Sequence, residues 1–522
     1  MILGLLLAAG SAALGGALAL AAQRHRGLLE MTRTFAFAAA AGVVAFHLLP
    51  EVLPELGPTA LLWIAAGFAL PWLLEAGARA VGPGVLERRG IRGLRVAAEV
   101  GFAALIFHSL FEGLALLASL QARENRTDLE IAIVAHHAPL TAAVALPFLD
   151  LLGVRGALVR VGLVALAGAV GVIGGTLVPG LASGADAGVL QRATAVVAGA
   201  LLHVVADEIK EQKFASPAQR AGDLLAAFVG LALAGIGALL DLRNTAGVIG
   251  FARTAAALAL AAAPALIVSI AIEAAVKRVH RLGPLRERAE GFLATAALLG
   301  WIAAGVRLAL ALLLGVSLWL AGRRTPQRRR AAMLEELAPR GPWLLILLAV
   351  AASVDVLAPS GWFAALRPAG LVVVAALLGL AAYASASGGA VLACALVHRG
   401  LPAELAVPFL ALGSLPVRGT PPARAIAGLV AGFAAALATA ELLTRTAMLR
   451  GAVAAASAVL ARGSEPVLAQ AAAAPVSAAC LLLLVVLGLV LVWRSGVRGW
   501  FAPVRHGDLR ERAPRAAHAE AR

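Results

Sequence analysis

The stretch FHSLFEGLALLASL (Phe107–Leu120) carries a histidine and, four residues later, a glutamate in an otherwise apolar run. Apolar runs of about 17 to 30 residues recur along the whole chain, and each is long enough to cross a hydrocarbon core about 30 Å thick. Charged side chains are costly at that depth, so the few that occur there indicate function. The sequence therefore predicts an all-α polytopic membrane protein.

The composition excludes most soluble classes of protein. Hydrophobic residues make up 61% of the 522 residues and charged residues 14%, whereas soluble chains carry about 25% charged residues. The net charge of +15 comes from Arg and Lys in short loops between apolar runs, where they act as topology signals. The two cysteines, Cys394 and Cys480, lie in apolar runs. Nucleic-acid binders, soluble enzymes, disulfide scaffolds and thiolate zinc sites are therefore excluded.

The apolar runs fall into two groups. Eight segments precede residue 243, and basic residues collect in alternate loops between them, which places those loops in the cytoplasm and the N-terminus outside. We predict an eight-helix unit at 1–242, a second helical membrane unit at 243–494 and a basic, disordered cytoplasmic tail at 495–522. With about 14 to 15 spans in total, the protein is predicted to lie in the plasma (inner) membrane.

The second unit is predicted to contain interrupted helices. The apolar run 291–321 lies between two basic loops, and both loops face the cytoplasm only if the run turns back inside the membrane. We therefore expect a re-entrant pair or a broken helix there, buried in protein, with Arg307 buried or lining a cavity. The stretches that begin at Pro264 and Pro342 form a weak repeat, and interrupted helices at matching places of a repeat are typical of transporters.

Histidines paired with acidic residues are patterned in the first unit. On a helix, a histidine and an acid four residues later share one face. Such a pair can clamp a metal ion, although a proton relay would use the same residue types. Another predicted helix carries adjacent histidines before Pro139, whose kink would free backbone carbonyls. The pairs are His47–Glu51, His108–Glu112 and His203–Asp207, and the adjacent histidines are His136 and His137.

The first 242 residues resemble the ZIP family of divalent-metal transporters. The motifs that carry the resemblance are HLLPE (His47–Glu51), HSLFEG (His108–Gly113), HHAP (His136–Pro139) and AGALLHVVADEI (Ala198–Ile209). The resemblance implies an eight-span bundle with both ends outside, inward movement of metal, and is compatible with a homodimer. It implies metal ligands at His108, Ser109, Glu112, His136 and His137. It implies a pathway lined by His47, Glu51, His203, Asp207 and Glu208.

The chain also departs from the ZIP pattern. Leu140 follows Pro139 where the family usually has glutamate, the sixth span (Leu158 to Val178) has no acidic residue, and Ser109 stands where asparagine is common. We therefore expect one metal site rather than two, four-coordinate and suited to Zn²⁺ as the transported substrate. Because this carboxylate is missing, two alternatives stay open: the site has an altered metal selectivity, or transport is lost.

The second unit resembles permeases related to arsenic-efflux permeases. The resemblance rests on YASASGGAVLACALVHRGLPAELAVPFLALGSLP (Tyr383–Pro416), where the family has a Cys-x-Cys-Gly turn before a helix. Here Ser385 and Ser387 replace the cysteines before Gly388 and Gly389, so thiolate chemistry is excluded. Hydroxyls and freed backbone groups at this break could coordinate a hard ion or an oxyanion. Nearby ionisable residues are predicted to be interfacial, namely Asp355, His398 and Arg399.

Three hypotheses for function follow. The leading one is a secondary transporter of divalent metal cations, foremost Zn²⁺, that works through the first unit, with the metal ion and the lipid bilayer as partners. A second makes the second unit the working permease or metal exporter. A third is a degenerate metal-binding protein that acts as a regulator or scaffold. No organic cofactor and no enzymatic activity are expected, since HExxH is absent.

Overall fold

The computed structural model describes most of the chain. It covers residues 2–23, 26–57, 59–81, 98–99, 101–103, 105–110, 113, 127–177, 187–207, 209, 216–240, 242–276, 283–320, 340–359, 361–413, 415 and 422–506. Every regular element in these residues is a helix, as predicted. Six of the described helices are long and apolar enough to cross a membrane, and shorter apolar helices accompany them. These features support a multi-pass, membrane-embedded helical protein.

The chain folds into two compact units. The first unit comprises Met1–Val248 together with Val492–Arg505, and the second comprises Ile249–Leu491. The division after Val248 lies close to the predicted boundary at residue 242. The return of residues 492–505 to the first unit was not predicted.

The first unit is built from helices that follow the predicted apolar segments. The second helix, α2 (Arg26–Val43), continues through a π-helical turn (Val44–Leu48) into α3 (Leu49–Leu56). The helices are α1 (Ile2–Gln23), α2 (Arg26–Val43), α3 (Leu49–Leu56), α4 (Thr59–Val81), α5 (Thr127–Leu177), α6 (Ala187–Asp207) and α7 (Pro217–Leu240). A shorter apolar helical segment at 101–110 carries His108 and Ser109.

A glycine divides the longest element of the first unit. The 51 residues of α5 would form a rod about 76 Å long if the helix were straight, which is far longer than a bilayer is thick. Gly153 interrupts it with φ 70° and ψ −175°, a conformation open only to glycine. The break separates two pieces, and the second piece contains most of the predicted sixth span. The packed core of the unit contains Val43, Leu105, Phe148 and Leu201.

The second unit contains a larger number of short helices. Two 3₁₀ turns lie at Trp362–Ala365 and Arg462–Ser464. The helices are α8 (Leu242–Val276), α9 (Gly283–Leu299), α10 (Trp301–Leu320), α11 (Gly341–Leu357), α12 (Pro368–Ala384), α13 (Ala386–His398), α14 (Ala403–Leu412), α15 (Pro422–Thr446), α16 (Arg450–Ala461), α17 (Val467–Ala473) and α18 (Pro475–Ser495). Large apolar side chains of α18, such as Leu482 and Val485, are exposed on the protein, as on a helix that faces lipid.

The broken helix predicted at 291–321 is confirmed. Gly300, at φ +86°, separates α9 from α10. The guanidinium of Arg307 donates to the Gly291 carbonyl at 3.0 Å, so α10 folds back along α9. Arg307 is 6% exposed, which agrees with its predicted burial. The two helices form a hairpin whose tip is Gly300.

A second helical hairpin has its tip in the SASGG stretch. Ser385 has extended backbone angles (φ −150°, ψ 118°) between α12 and α13, and its hydroxyl accepts a hydrogen bond from the Gly388 amide at 3.1 Å. A Cβ atom on Gly389 would lie 2.6 Å from the Ala382 Cα, so the two helices are in close contact at this tip. The helix break therefore falls within the stretch that the sequence singled out.

The prediction of a disordered tail at 495–522 is wrong for its first part. Val497–Trp500 and Ala502–His506 form two short helices, α19 and α20, that pack on the first unit. Arg498 is 2% exposed, forms an ion pair with Glu30 and donates to the Thr34 hydroxyl at 3.2 Å. The basic residue is therefore held by an acidic partner far away in the sequence. Residues 507–522 lie outside the described part of the chain.

Candidate functional sites in the two units

His137 is the centre of the candidate site in the first unit. Its Nδ1 atom lies 2.6 Å from the Ser11 hydroxyl of α1, and its Nε2 atom lies 2.7 Å from the Ser109 hydroxyl. All three side chains are buried, as is His108 next to Ser109. The structure thus brings together two residues that the ZIP resemblance assigns as metal ligands, Ser109 and His137. Ser11 was missed because it lies in an Ala- and Gly-rich helix without any charged residue.

The packing of α1 against α5 brings Ser11 to His137. Gly15 lies one turn after Ser11, and a Cβ atom there would lie 2.4 Å from the Ala138 carbonyl. Because Gly15 has no side chain, the two backbones approach closely, as is common where small residues meet in membrane helices. Residues Ser11 and Gly15 share one face of α1 because they are four residues apart.

The arrangement can serve two kinds of chemistry. A neutral imidazole donates from one ring nitrogen and accepts at the other, so the two serine hydroxyls hold its tautomer and its orientation. The same imidazole could relay a proton between the two hydroxyls or ligate a metal ion with its unprotonated nitrogen. Both roles require a buried chain of hydrogen bonds between helices. His137 forms such a chain with Ser11 and Ser109.

The rest of the predicted ligand set is only partly described. Glu112 lies outside the described residues, and for His136 they include its helical backbone alone. In the described part of the chain, which leaves out those two side chains, no three His, Cys, Asp or Glu residues are grouped so as to hold a metal ion.

The predicted pathway residues contact neighbouring helices. His47 lies in the π-helical turn after α2 and its Nε2 atom is 3.0 Å from the Ala234 carbonyl of α7. Glu51 in α3 is exposed. His203 of α6 places Nδ1 2.9 Å from the Phe68 carbonyl of α4. Both imidazoles therefore link pairs of helices in the first unit. Glu208 lies outside the described residues, and of Asp207 only the backbone is described, as the last residue of α6.

A second candidate site lies in the second unit around Glu290. This residue of α9 is 5% exposed, and its Oε1 atom accepts hydrogen bonds from the Ser387 hydroxyl at 2.6 Å and the Ser387 amide at 3.3 Å. Its Oε2 atom lies 2.8 Å from Nη1 of Arg340, the residue before α11. One carboxylate thus joins the tip of the α12–α13 hairpin to the start of α11.

Arg307 adds a buried cation to the same region. It donates to the Thr295 hydroxyl at 2.7 Å and to the Ala386 carbonyl at 3.3 Å, in addition to Gly291. Among the described residues, no carboxylate oxygen lies within 4.0 Å of its guanidinium. A guanidinium can be buried when backbone and hydroxyl oxygens satisfy its donors. Arg307 therefore links the two hairpins through backbone and hydroxyl oxygens.

A cavity opens beside Glu290. It is narrow, with room for about one water molecule, and is partly open to the outside. Its polar lining consists of Ser269, Glu290, Arg340 and Ser387, and its apolar lining consists of Leu266, Ile270 and Leu344. The sequence predicted Ser387 as a site residue but missed Glu290 and Arg340, which both border basic loops and look interfacial. The sequence offered one signal for Glu290: it is an acidic residue at the start of an apolar run that also contains Arg307.

The interfacial position of Asp355 stays a prediction, and the structure places this residue in a polar cluster near the end of α11. Asp355 is buried, and its Oδ1 atom accepts from Arg399 Nε at 3.1 Å and lies 3.7 Å from His398 Nε2. The Thr254 hydroxyl donates to the other carboxylate oxygen at 3.4 Å. The carboxylate is buried because it holds the polar turn that follows α13, where Gly400 adopts φ +103°. This cluster closes a turn.

Comparisons with known proteins add no family to these observations. The chain matches no protein-family model, no curated protein and no solved structure. What each site binds is therefore inferred from its own residues and from the motifs quoted above.

Proposed function

We propose that the protein is a secondary transporter that moves divalent metal cations, foremost Zn²⁺, through the first unit. The observation that carries the proposal is the contact of Ser109 with His137, since these residues come from two separate motifs and meet in the buried interior beside His108. Imidazole nitrogens are preferred Zn²⁺ ligands. A site with few strong ligands suits transport, because the ion must also leave it.

Metal binding at His137 requires one of its hydroxyl contacts to open. The hydroxyls of Ser11 and Ser109 hold both ring nitrogens. A metal ion would replace the hydroxyl at the unprotonated nitrogen, while the opposite serine keeps the N–H and fixes the ring orientation. His108, Glu112 and His136 are the remaining proposed ligands, and His47, Glu51, His203, Asp207 and Glu208 are the proposed pathway residues.

The proposal includes the topology predicted from the loops. We propose eight spans in the first unit and about 14 to 15 in the chain, with the N-terminus outside the plasma (inner) membrane. The span-length helices and the breaks at Gly153 and Gly300 support this topology. A homodimer and inward metal movement remain part of the proposal.

The test is Zn²⁺ uptake into liposomes that contain the purified full-length protein. We expect His108→Ala and Glu112→Gln each to reduce the initial rate at least tenfold, because each removes a metal ligand. The matched controls are His398→Ala and Glu441→Gln, which change the same residue types in the second unit. Wild-type flux in both ligand variants would overturn the proposal. Zn²⁺ binding by calorimetry without any flux would instead support the regulator or scaffold hypothesis.

Transport through the second unit is a second candidate function. The observation that favours it is the group of ionisable residues at the α12–α13 break, namely the buried Glu290 and Arg307 and the partly buried Arg340. Interrupted helices and intramembrane charges mark the substrate sites of many transporters. In the same liposome assay, flux that survives Glu112→Gln but is lost in Ser387→Ala would favour this candidate.

A further inference from the structure

We infer that Ser11 is a positioning residue of the proposed metal site. It keeps the proton of His137 on Nδ1, so that Nε2, on the side of Ser109, is the nitrogen that binds the metal ion. The inference rests on the proposed function, because it names the atom of His137 that takes the metal. The motifs that carry the resemblance to metal transporters do not include Ser11.

The hydroxyl of Ser11 has two contacts and a single proton. Its Oγ atom lies 3.1 Å from the Ala8 carbonyl oxygen and 2.6 Å from Nδ1 of His137. A carbonyl oxygen can only accept, so the contact with Ala8 uses the hydroxyl proton. Such bonds to the preceding turn are common for serine in helices. The hydroxyl therefore accepts from His137, which requires a proton on Nδ1.

The contact of the other ring nitrogen gives the same assignment. The Oγ atom of Ser109 lies 2.7 Å from Nε2 of His137, and in the described part of the chain this is the hydrogen-bond partner of that hydroxyl. Its proton is donated to Nε2 when Nε2 is unprotonated. In the opposite tautomer Ser11 would give up its bond to Ala8, and the Ser109 proton would have no described acceptor. Leaving buried polar groups unpaired is costly, so the Nδ1–H tautomer is favoured.

Close packing holds both serines in place around the imidazole. A Cβ atom on Gly168 of α5 would lie 3.1 Å from Ala8 Cβ and 3.6 Å from the Ser109 carbonyl oxygen. Gly168 therefore borders both the turn that Ser11 binds and the segment that carries Ser109. Ser11, Ser109 and His137 are 2%, 1% and 2% exposed. In such a packed interior the ring has little room to turn over, so each nitrogen keeps its own partner.

The tautomer decides which contact a metal ion opens. An imidazole binds a metal ion through its unprotonated nitrogen. With the proton held on Nδ1, the ion takes the place of the Ser109 proton at Nε2. The Ser109 oxygen can then turn its lone pairs to the ion, in keeping with its proposed role as a ligand. Ser11 keeps its contact and orients the ring from the opposite side. Partners of this kind typically contribute about 10–100-fold to metal affinity.

The first measurement is the tautomer of His137, by solid-state NMR of the full-length protein in lipid with isotope-labelled histidines. The His137→Asn variant identifies the signal by its loss. Without metal and at about pH 8, above the ordinary imidazole pKa of about 6.5, we expect the proton on Nδ1. An imidazole in water favours the opposite tautomer, with the proton on Nε2. Ser11→Ala removes the acceptor of the Nδ1 proton, so the proton should move to Nε2.

The second measurement is metal binding. The NMR-active isotope of cadmium, as a substitute for Zn²⁺, should couple to Nε2 of His137 in the wild type. By calorimetry, Ser11→Ala should bind Zn²⁺ about 10–100-fold more weakly than the wild type.

Thr141→Val is the matched control. Thr141 lies one turn after His137 at the same contact of α1 with α5, since a Cβ atom on Gly15 would lie 2.7 Å from its Cβ. It is 1% exposed, and its hydroxyl has no hydrogen-bond partner among the described residues. Loss of this hydroxyl should leave both the tautomer of His137 and the Zn²⁺ affinity unchanged.

The wild-type measurements keep the test decisive if Ser11→Ala does not fold. A proton on Nε2 in the wild type, cadmium bound through Nδ1, or a folded Ser11→Ala with wild-type Zn²⁺ affinity would each overturn the inference and leave the proposed transport intact. An equal loss of affinity in Thr141→Val would also overturn it, because packing alone would then explain the effect. No Zn²⁺ binding by the wild type would instead overturn the proposed function, and the role of Ser11 with it.

Discussion

Arg498 shows how one buried cation can hold distant parts of the first unit together. It forms an ion pair with Glu30 and donates to Thr34, both in α2, while the neighbouring Val497 amide donates to Asp223 of α7 at 2.8 Å. Because the guanidinium is 2% exposed, water cannot replace these partners. Removing the cation would leave Glu30 with the longer contact to Arg33, at 3.6 Å, among its described counter-charges.

We expect Arg498→Ala to destabilise the first unit by about 2 kcal/mol. Loss of one partner of a fully buried pair costs about 3–5 kcal/mol, and the cost is smaller here because Glu30 is 37% exposed. The control is Arg445→Ala, since Arg445 and Glu441 form a pair that is 74% and 67% exposed and contributes about 0–1 kcal/mol. Thermal unfolding in detergent checks both variants. Equal shifts in their midpoints would contradict the prediction.

The two buried arginines differ in how far the sequence predicts them. Arg307 was predicted to be buried because it interrupts a long apolar run, where exposure to lipid would be costly. Arg498 lies in a stretch that is rich in arginine, so composition alone predicted a solvated tail. Its partner, Glu30, is 468 positions away in the sequence, and no local pattern indicates such a pairing. Glu290 was missed for the same reason: its contacts come from other helices, and no local pattern indicates them.

The helices themselves were predicted well because apolar length is a local property. The segments of the first unit and the breaks near Gly300 and Ser385 follow from apolar runs, basic loops and glycines. The basic loops on both sides of the run 291–321 predicted that the chain turns back there, whereas the hairpin at Ser385 was not predictable in this way. It depends on close contact between its two helices, such as that of Gly389 with Ala382.

We expect Gly153→Ala to destabilise the first unit by about 1–3 kcal/mol. Its φ of 70° with ψ of −175° is a conformation that a Cβ atom makes unfavourable, although no other atom lies within 4 Å. The matched control, Gly162→Ala, changes a regular helical residue of the same element that also has open space around it. This control should be neutral or stabilising by up to about 1 kcal/mol. Unfolding midpoints of the two variants check the prediction, and a stable Gly153→Ala would refute it.

At the scale of the whole molecule, the first unit is discontinuous in sequence. Residues 492–505 complete it, although they follow the entire second unit in the chain. Sequence analysis predicted the division near residue 242, because the pattern of basic loops changes there. It did not predict that residues 492–505 belong to the first unit, since a short basic stretch without an apolar run gives no signal of where it packs.

We expect two truncations to behave differently. A chain that ends at His506 keeps the described contacts of α19 and α20, so the first unit should unfold at the wild-type midpoint. A chain that ends at Ser495 loses Arg498 and the Val497 amide, so its midpoint should fall by at least as much as in Arg498→Ala. Thermal unfolding in detergent and limited proteolysis measure the difference. Identical behaviour of the two chains would show that the segment does not stabilise the unit.

The late position of residues 492–505 also sets an order for biosynthesis. A ribosome that adds about 5–20 residues per second needs roughly 10–50 s to translate residues 249–491 after the helices of the first unit have emerged. During this interval the nascent chain contains Glu30, Thr34 and Asp223, but their partners Arg498 and Val497 have not yet been synthesised. A message that is cut short or shifted in frame near its end would therefore yield an intact second unit beside an unfinished first one. Such a product would carry the Glu30 carboxylate without Arg498, its ion-pair partner in the complete chain.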